Sequence, residues 1–204
     1  MSLSSWASLT PGVPFPRDGV SMLVPFLIGG ALADSPDPVL LERVHQRAVR
    51  LETRGMTVLG GWAALNIAGG LAGSLTASDD TSRAFHQGNA YWNVVNLGLA
   101  GAGLVSARRR ASEAPRWPAL PVELANQRSV FLLNFGLDFA YMSTGVALWK
   151  QPDNPTWRGY GQALFLQGAF LGVFDLSMAV LNARNAAQLK PFLTGDTVGL
   201  AITF

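Results

Sequence analysis

The 204-residue chain contains no cysteine, and this absence excludes disulfides, thiolate metal sites and cysteine nucleophiles. Charged residues are also scarce, at 14% against about 25% in an average soluble domain. The net charge of +2 is too small to indicate a nucleic-acid surface. Two histidines are too few for a zinc or di-iron site. With no nucleophile elbow and no phosphate-binding loop, we do not expect an enzyme or a bound cofactor.

Long runs with few or no charges dominate what is present. Four of them cover residues 55–78, 84–107, 129–149 and 159–183. Each is long enough to cross a bilayer core of ~30 Å as a helix rising ~1.5 Å per residue. The 22 glycines and six tryptophans suit close helix packing and anchoring at the membrane interface. The sequence therefore predicts an all-α integral membrane four-helix bundle over residues 55–185.

One polar seam follows each predicted span at spacings of three or four residues. In the second span the seam is His86, Asn89, Asn93, Asn96, Ala100, Gly103 and Ala107. In the first it is Leu59, Trp62, Asn66, Gly69 and Gly73, in the third Asn134, Asp138, Tyr141, Gly145 and Leu148, and in the fourth Gln162, Phe165, Gly168, Gly172 and Asp175. On a helix such residues share one face, so we expect these faces to meet inside the bundle.

Counting along the spans places one carboxylate and several amides near the midplane. The predicted binding residues there are Asp138, Asn93, Asn96, Tyr141 and Asn66. A charged aspartate at this depth costs ~2.5–3.5 kcal/mol, so the group should be neutral, paired or hydrated. The residues permit a proton or cation site, a small-ligand pocket, or a protonated Asp138 hydrogen-bonded to an amide.

His86 lies at the opposite end of the second span from the arginine cluster. It is a candidate axial ligand for haem or a chlorophyll-type pigment. The alternative is that it closes the seam through a hydrogen bond to Gln162 or Tyr160.

The segments outside the spans carry their own expectations. Residues 34–54 predict an amphipathic helix on the membrane surface that starts at Asp37-Pro38 and runs into the first span, with His45 facing solvent or headgroups. Residues 1–33, rich in proline and glycine, fit a cleaved signal, a short interfacial segment or a docking tail. Residues 186–204 form a second predicted tail.

Positive charge is concentrated on one side of the predicted bundle. Arg108, Arg109 and Arg110 follow the second span, where they act as a topology anchor or bind anionic lipid headgroups. By the positive-inside rule, both ends of the bundle face the cytoplasm of a bacterial inner membrane, although a cleaved signal would favour the reverse.

A faint repeat of 75 residues suggests a duplicated helical hairpin. Arg83, Phe85 and Gln87 match Arg158, Tyr160 and Gln162, and Gly61, Gly70 and Ala72 match Gly136, Gly145 and Ala147. Both copies would insert in the same orientation, which makes the repeat parallel.

The central part of the chain resembles a known family in the string FHQGNAYWNVVN at residues 85–96, in RGMTVLGGWAALNIAGG upstream, and in LDFAYMSTG and WRGYGQALFLQGAFLGVFDL downstream. That family consists of small bacterial membrane proteins of unknown function. The resemblance covers roughly residues 40–185. It implies four spans and transfers no catalytic residue. Gly88 departs from the pattern, where a larger side chain is expected, and this predicts looser packing near His86.

These observations favour a non-catalytic structural or accessory subunit of a larger bacterial membrane complex. A pigment-bearing photosynthetic or respiratory assembly is a suitable host, with other membrane subunits and lipids as partners. The alternatives are a small transporter or ligand sensor using Asp138, and a haem or chlorophyll binder using His86.

Overall fold

A computed structural model describes residues 35–193, and these residues form four α-helices, one short 3-10 helix and no strand. The helices are α1 (Pro38–Thr76), α2 (Asp80–Ala111), α3 (Ala119–Trp149) and α4 (Pro155–Ala186), and the 3-10 helix is Ala187–Phe192. The tail predicted for residues 1–33 and the last part of the second tail, residues 194–204, lie outside the described residues.

Local capping chemistry sets three of the helix starts. Asp37 accepts a hydrogen bond from the Val39 backbone N–H at 2.9 Å, and Pro38 takes the first helical position. Asp79 caps α2 through the Ser82 N–H, and Asn154 caps α4 through the Trp157 N–H. Short polar side chains at this position satisfy N–H groups that have no partner within the helix.

Helix α1 contains both the predicted amphipathic helix of residues 34–54 and the first predicted span. It runs without a break for 39 residues, which agrees with an amphipathic helix that continues into the span. The apolar face of its first part packs on protein: Leu41, Val44 and Ala48 form a cluster with Leu120, Leu124 and Leu189. Helix α3 and the 3-10 helix therefore cover the face that the sequence assigned to the membrane surface.

The helices pair as two antiparallel hairpins, α1 with α2 and α3 with α4. At Gly70 an added Cβ would collide with His86 O and Ala90. At Gly145 it would collide with Gly161 O and Phe165. Glycine is needed at both positions because the partner backbone occupies the space of a side chain.

These two contacts are the same contact repeated. Gly145, Gly161 and Phe165 lie 75 residues after Gly70, His86 and Ala90. The capping residues of α2 and α4, Asp79 and Asn154, have the same offset. Equivalent contacts at a constant offset support the predicted duplication of one helical hairpin.

Helices α2 and α4 lie side by side, with equivalent residues of the two copies touching each other. A Cβ on Gly159 would meet Ala84, and a Cβ on Gly88 would meet Ala163. Both pairs are separated by 75 residues. When a residue contacts its own equivalent in the other copy, a two-fold axis passes through the contact. An approximate two-fold axis therefore passes between α2 and α4. The tight fit of Gly88 against α4 also contradicts the predicted looser packing there.

Three helical stretches of the described chain are long and apolar enough to cross a membrane: Pro38–Thr76, Ala119–Trp149 and Pro155–Phe192. Helix α2 does not reach the same hydropathy. Its polarity, however, points inward: Asn89, Asn93 and Asn96 are buried, whereas Val94 and Leu99 are exposed. This is the reverse of the pattern of a water-soluble surface helix.

Candidate functional site

A cleft opens between α2 and α3, with parts of α1 and α4 at its back. Its volume is about 400 Å³, which is within the range of small-molecule sites. The apolar lining includes Trp92, Leu99, Phe131, Leu137, Leu171 and Phe174. The polar lining is Asn96, Asn134, Asp138, Tyr141 and Asp175. We call this space the α2–α3 cleft. It combines a mostly apolar wall with a few polar groups.

Two carboxyl groups face each other inside the α2–α3 cleft. Asp138 on α3 and Asp175 on α4 are within hydrogen-bonding reach, and their side chains are almost fully buried. The Asp138 Oδ2 atom is buried and has no hydrogen-bond partner among residues 35–193. Buried polar atoms are nearly always satisfied, so this oxygen calls for an explanation. Glu52 Oε2, Arg110 Nε and Trp117 Nε1 are also without a hydrogen-bond partner among the described residues, but only Asp138 Oδ2 lies in the cleft.

Three of the six predicted binding residues come together in this cleft: Asp138, Asn96 and Tyr141. Tyr141 packs edge-on against Trp92, with ring centroids 4.9 Å apart. Asn96 Nδ2 donates to Asn93 Oδ1 at 3.2 Å. Asn93 itself is fully buried and donates to the Asn89 carbonyl, so it supports Asn96 from behind and does not line the cleft.

Asn66 belongs to a different polar group, whose centre is Gln167. The fully buried Gln167 accepts a hydrogen bond from Trp62 Nε1 at 2.9 Å and donates to Asn89 Oδ1 at 2.6 Å and to Asn66 Oδ1 at 3.3 Å. These contacts join α1, α2 and α4. Because each partner is a protein group, the arrangement holds the helices in register and offers no free polar atom to a ligand.

The sequence reasoning did not select Gln167, although it lies next to Gly168 in the predicted α4 seam. Helix α4 contacts α3 and also α1 and α2. It therefore buries two adjacent stripes of residues. The glycine seam is one of them, and Gln167 belongs to the other. The signal in the sequence is a second four-residue spacing beside the glycine seam, formed by Ala163, Gln167 and Leu171.

His86 lies apart from the α2–α3 cleft, beside a shallow pocket of about 290 Å³ shared with Asn66. Its ring packs on Gly73 of α1 and edge-on against Phe85. Neither predicted hydrogen bond forms among the described residues. Tyr160 donates to Gln87 Oε1 at 3.4 Å instead. A haem or chlorophyll ligand at His86 stays a prediction from the sequence.

The three consecutive arginines after the second span separate in space. Arg108 and Arg109 are exposed, and their role as a topology anchor or headgroup contact stays a prediction. Arg110 turns inward and forms ion pairs with Glu52 of α1 and Glu123 of α3.

His45, expected to face solvent or headgroups, joins the same internal region. It is buried, and its Nε2 hydrogen-bonds the Arg110 carbonyl at 2.9 Å. Arg110 and His45 thus tie α1, α2 and α3 together at one end of the helices, so Arg110 has no free face for a headgroup.

No group of three or more potential metal ligands occurs in the part of the chain that the structure describes. The model of a family of unknown function, DUF6992, matches residues 58–176, which is more than half of the chain. This agrees with the resemblance seen in the sequence, over a shorter range than residues 40–185. The match includes the cleft residues from Leu59 to Asp175. No curated protein and no solved structure matches the chain.

Proposed function

We propose that this chain, which belongs to the family of unknown function DUF6992, is a four-span membrane protein that binds a small ligand in the α2–α3 cleft. The ligand is mostly apolar and carries a cationic or hydrogen-bond-donating group. The observation behind the proposal is the unpartnered Oδ2 of Asp138. A buried polar atom left without a partner costs about 1–3 kcal/mol, which a bound donor would recover. Such a site suits a small transporter or a ligand sensor.

The exposed surface supports insertion of all four helices. Large apolar side chains are exposed on each of them, for example Leu65, Leu99, Leu133 and Val173. Helix α2 is antiparallel to α1 and joined to it by residues 77–79 alone. If α1 crosses the bilayer, α2 must return through it. The asparagines that lower the hydropathy of α2 lie inside the protein, where they do not meet lipid.

The charges support an orientation. The N-termini of α1 and α3 and the C-termini of α2 and α4 lie at the same end, which carries Arg54, Arg108, Arg128 and Arg184. The opposite end has fewer basic residues and exposes Trp149 and Trp157, which suit a membrane interface. The positive-inside rule then puts the arginine-rich end in the bacterial cytoplasm.

The facing carboxyl groups support the ligand chemistry. Two carboxylates in contact repel each other when both are charged, so one neutral and one charged group is the favourable state. The remaining negative charge attracts a cation or an amine, and Tyr141 and Asn96 add donors and acceptors beside it. The apolar walls would cover the rest of the ligand.

The proposal is tested with octylamine, a protonated amine at neutral pH, and with octanol as its uncharged match. Thermal unfolding of the purified protein is followed in micelles of fixed composition. We expect octylamine to raise the unfolding midpoint saturably, since a ligand that binds only the folded state stabilises it. Asp138→Asn should abolish this rise, and Asp153→Asn, an exposed control, should keep it. An equal response of wild type and Asp138→Asn would refute the site.

A second candidate function, an accessory subunit of a larger membrane complex, is favoured by a different observation. Ala64, Ala68 and Ala72 follow one outward face of α1 at four-residue spacing, and all three are exposed. In lipid, small residues at this spacing let another helix approach closely. For this function, Ala68→Leu should remove proteins that copurify from native membranes, whereas Asp138→Asn should retain them. Unchanged copurification with Ala68→Leu would exclude this face.

A further inference from the structure

A second groove, of about 870 Å³, runs between α1 and α4. Its lining divides into two chemically different parts. The basic part consists of Arg43, Arg47, Arg50 and Arg54. The apolar part includes Val58, Phe170, Val173, Phe174 and Leu181. No aspartate or glutamate lines it among the described residues. We call this space the α1–α4 groove.

The four arginines form one stripe because their spacings of four, three and four residues place them on one helix face. The described residues do not neutralise these charges with ion pairs. Within residues 35–193, Arg43, Arg47 and Arg54 have no ion pair, and Arg50 has a single long contact of 3.4 Å with Gln46 Oε1. All four are exposed. This contrasts with Arg110, whose charge is taken up by Glu52 and Glu123.

The boundary between the basic and apolar parts coincides with the start of the first uncharged run. Arg54 is the last charged residue before that run, and Gly55 lets the Met178 side chain pack against α1. Beyond this point the walls are formed by Val58, Phe170, Val173 and Phe174. A phosphate at the arginines and a hydrocarbon chain along these walls would match the groove in both charge and polarity.

We infer that the α1–α4 groove binds an anionic phospholipid, an inference that rests on the proposed membrane insertion. The headgroup phosphate contacts the arginine stripe, which supplies charge-assisted hydrogen bonds. One acyl chain lies along Val58, Val173 and Phe174. The lipid is a site-bound one, distinct from the surrounding bilayer, and its site is separate from Asp138.

The internal repeat shows that the fold itself does not require these arginines. Gly55, Phe170, Phe174 and Met178 correspond, at the 75-residue offset, to Val130, Val95, Leu99 and Gly103. Those four equivalents line the α2–α3 cleft, so the two grooves are copies of each other.

The equivalents of Arg50 and Arg54 in the second copy are Ala125 and Ser129. The hairpin therefore forms without basic residues at these positions. The arginine stripe is a property of the α1–α4 groove alone, which favours a role in binding over a role in folding.

The test compares phosphatidylglycerol with phosphatidylcholine of the same acyl chains. Each is titrated into the purified full chain in micelles, and the thermal unfolding midpoint is recorded. We expect phosphatidylglycerol to stabilise the wild type saturably and phosphatidylcholine to do so far less. In the double variant Arg47→Gln/Arg54→Gln the half-saturating concentration should rise about 30-fold, which equals ~2 kcal/mol at ~1 kcal/mol per basic residue.

Control variants separate charge from position. Arg116→Gln/Lys190→Gln removes two exposed charges at the same end, outside both the groove and the arginine cluster of the second span, and should bind like the wild type. Val173→Trp fills the apolar wall at unchanged charge and should also weaken phosphatidylglycerol binding, whereas Leu176→Trp, which is exposed outside the groove, should not.

Equal stabilisation by both lipids would overturn the inference, as would an equal loss in the Arg116/Lys190 control. Stabilisation by inorganic phosphate alone to the same extent would replace the lipid by a free anion. None of these results bears on the octylamine response of Asp138, so the two proposals fail independently.

Discussion

The glycine contact between α3 and α4 gives a prediction whose magnitude follows from the structure. A Cβ on Gly145 would lie 2.7 Å from Phe165 N and 2.8 Å from Gly161 O. These are backbone atoms of a packed helix, so they cannot rotate away as a side chain would. Gly136, nine residues earlier in the same helix, is exposed, and a Cβ there meets nothing within 4 Å. The two positions thus form a matched pair.

Alanine favours a helix over glycine by ~1 kcal/mol, and this gain applies to both variants. Gly145→Ala additionally overpacks the helix contact, at a cost of typically ~1–3 kcal/mol. The difference in unfolding free energy between the variants is therefore the overpacking cost itself. At roughly 2–4 °C per kcal/mol for a chain of this size, the midpoint of Gly145→Ala should lie about 2–12 °C below that of Gly136→Ala.

Thermal unfolding of both variants in the same micelles measures this gap. The internal repeat supplies a second, independent pair, because Gly70 and Gly61 occupy the equivalent buried and open positions. Gly70→Ala should be destabilised relative to Gly61→Ala in the same way. If the unfolding midpoints of the buried and open variants change by the same amount, the close backbone contact does not exist.

Two further predictions concern the internal polar groups. Gln167→Leu should lower the unfolding free energy by about 1–3 kcal/mol, since it leaves buried partners at Trp62 and Asn89 unsatisfied; an unchanged thermal midpoint would contradict the hydrogen-bond hub. Arg110→Gln should destabilise the fold by several °C because Glu52 loses its cation, whereas Arg109→Gln should be neutral; equal midpoints for the two would contradict the internal role of Arg110.

Spacing along single helices predicted part of this structure well. The α2 residues Asn89, Asn93 and Asn96 are buried as their three- and four-residue spacing predicts. The start of α1 at Asp37-Pro38 is also confirmed. Both depend on local geometry, which the sequence encodes directly.

Features that depend on a neighbouring helix were less accessible. In α1 the predicted contact at Gly69 is exposed, and its neighbour Gly70 meets α2. Adjacent glycines fit the helical period equally well, and only the crossing position of α2 decides between them. The inward turn of Arg110 likewise depends on Glu52 and Glu123, which are distant in the sequence.

The candidate site was also predicted only in part, because spacing along each helix selected its residues but not the cleft between the helices. Asp138, Asn96 and Tyr141 were predicted to act together, and they line one cleft. The cleft itself, and the pairing of Asp138 with Asp175, depend on how the helices pack: α2 and α3 each pack more closely on α4 than on each other, and α4 supplies Asp175 behind the cleft. Counting along each helix gives depth in a membrane but not the spacing between helices, so the sequence favoured a closed bundle.

The central claim is that lipid, and not water, covers the outer face of α2. The cysteine-free chain allows a direct measurement with single variants and a membrane-impermeant maleimide, in membrane fragments open on both sides. Val94 is 59% exposed and lies outside the α2–α3 cleft, so protein packing cannot shield it. We predict that Val94→Cys stays unlabelled while Glu113→Cys, just beyond the helix, is labelled fully. Equal labelling of the two variants would contradict it.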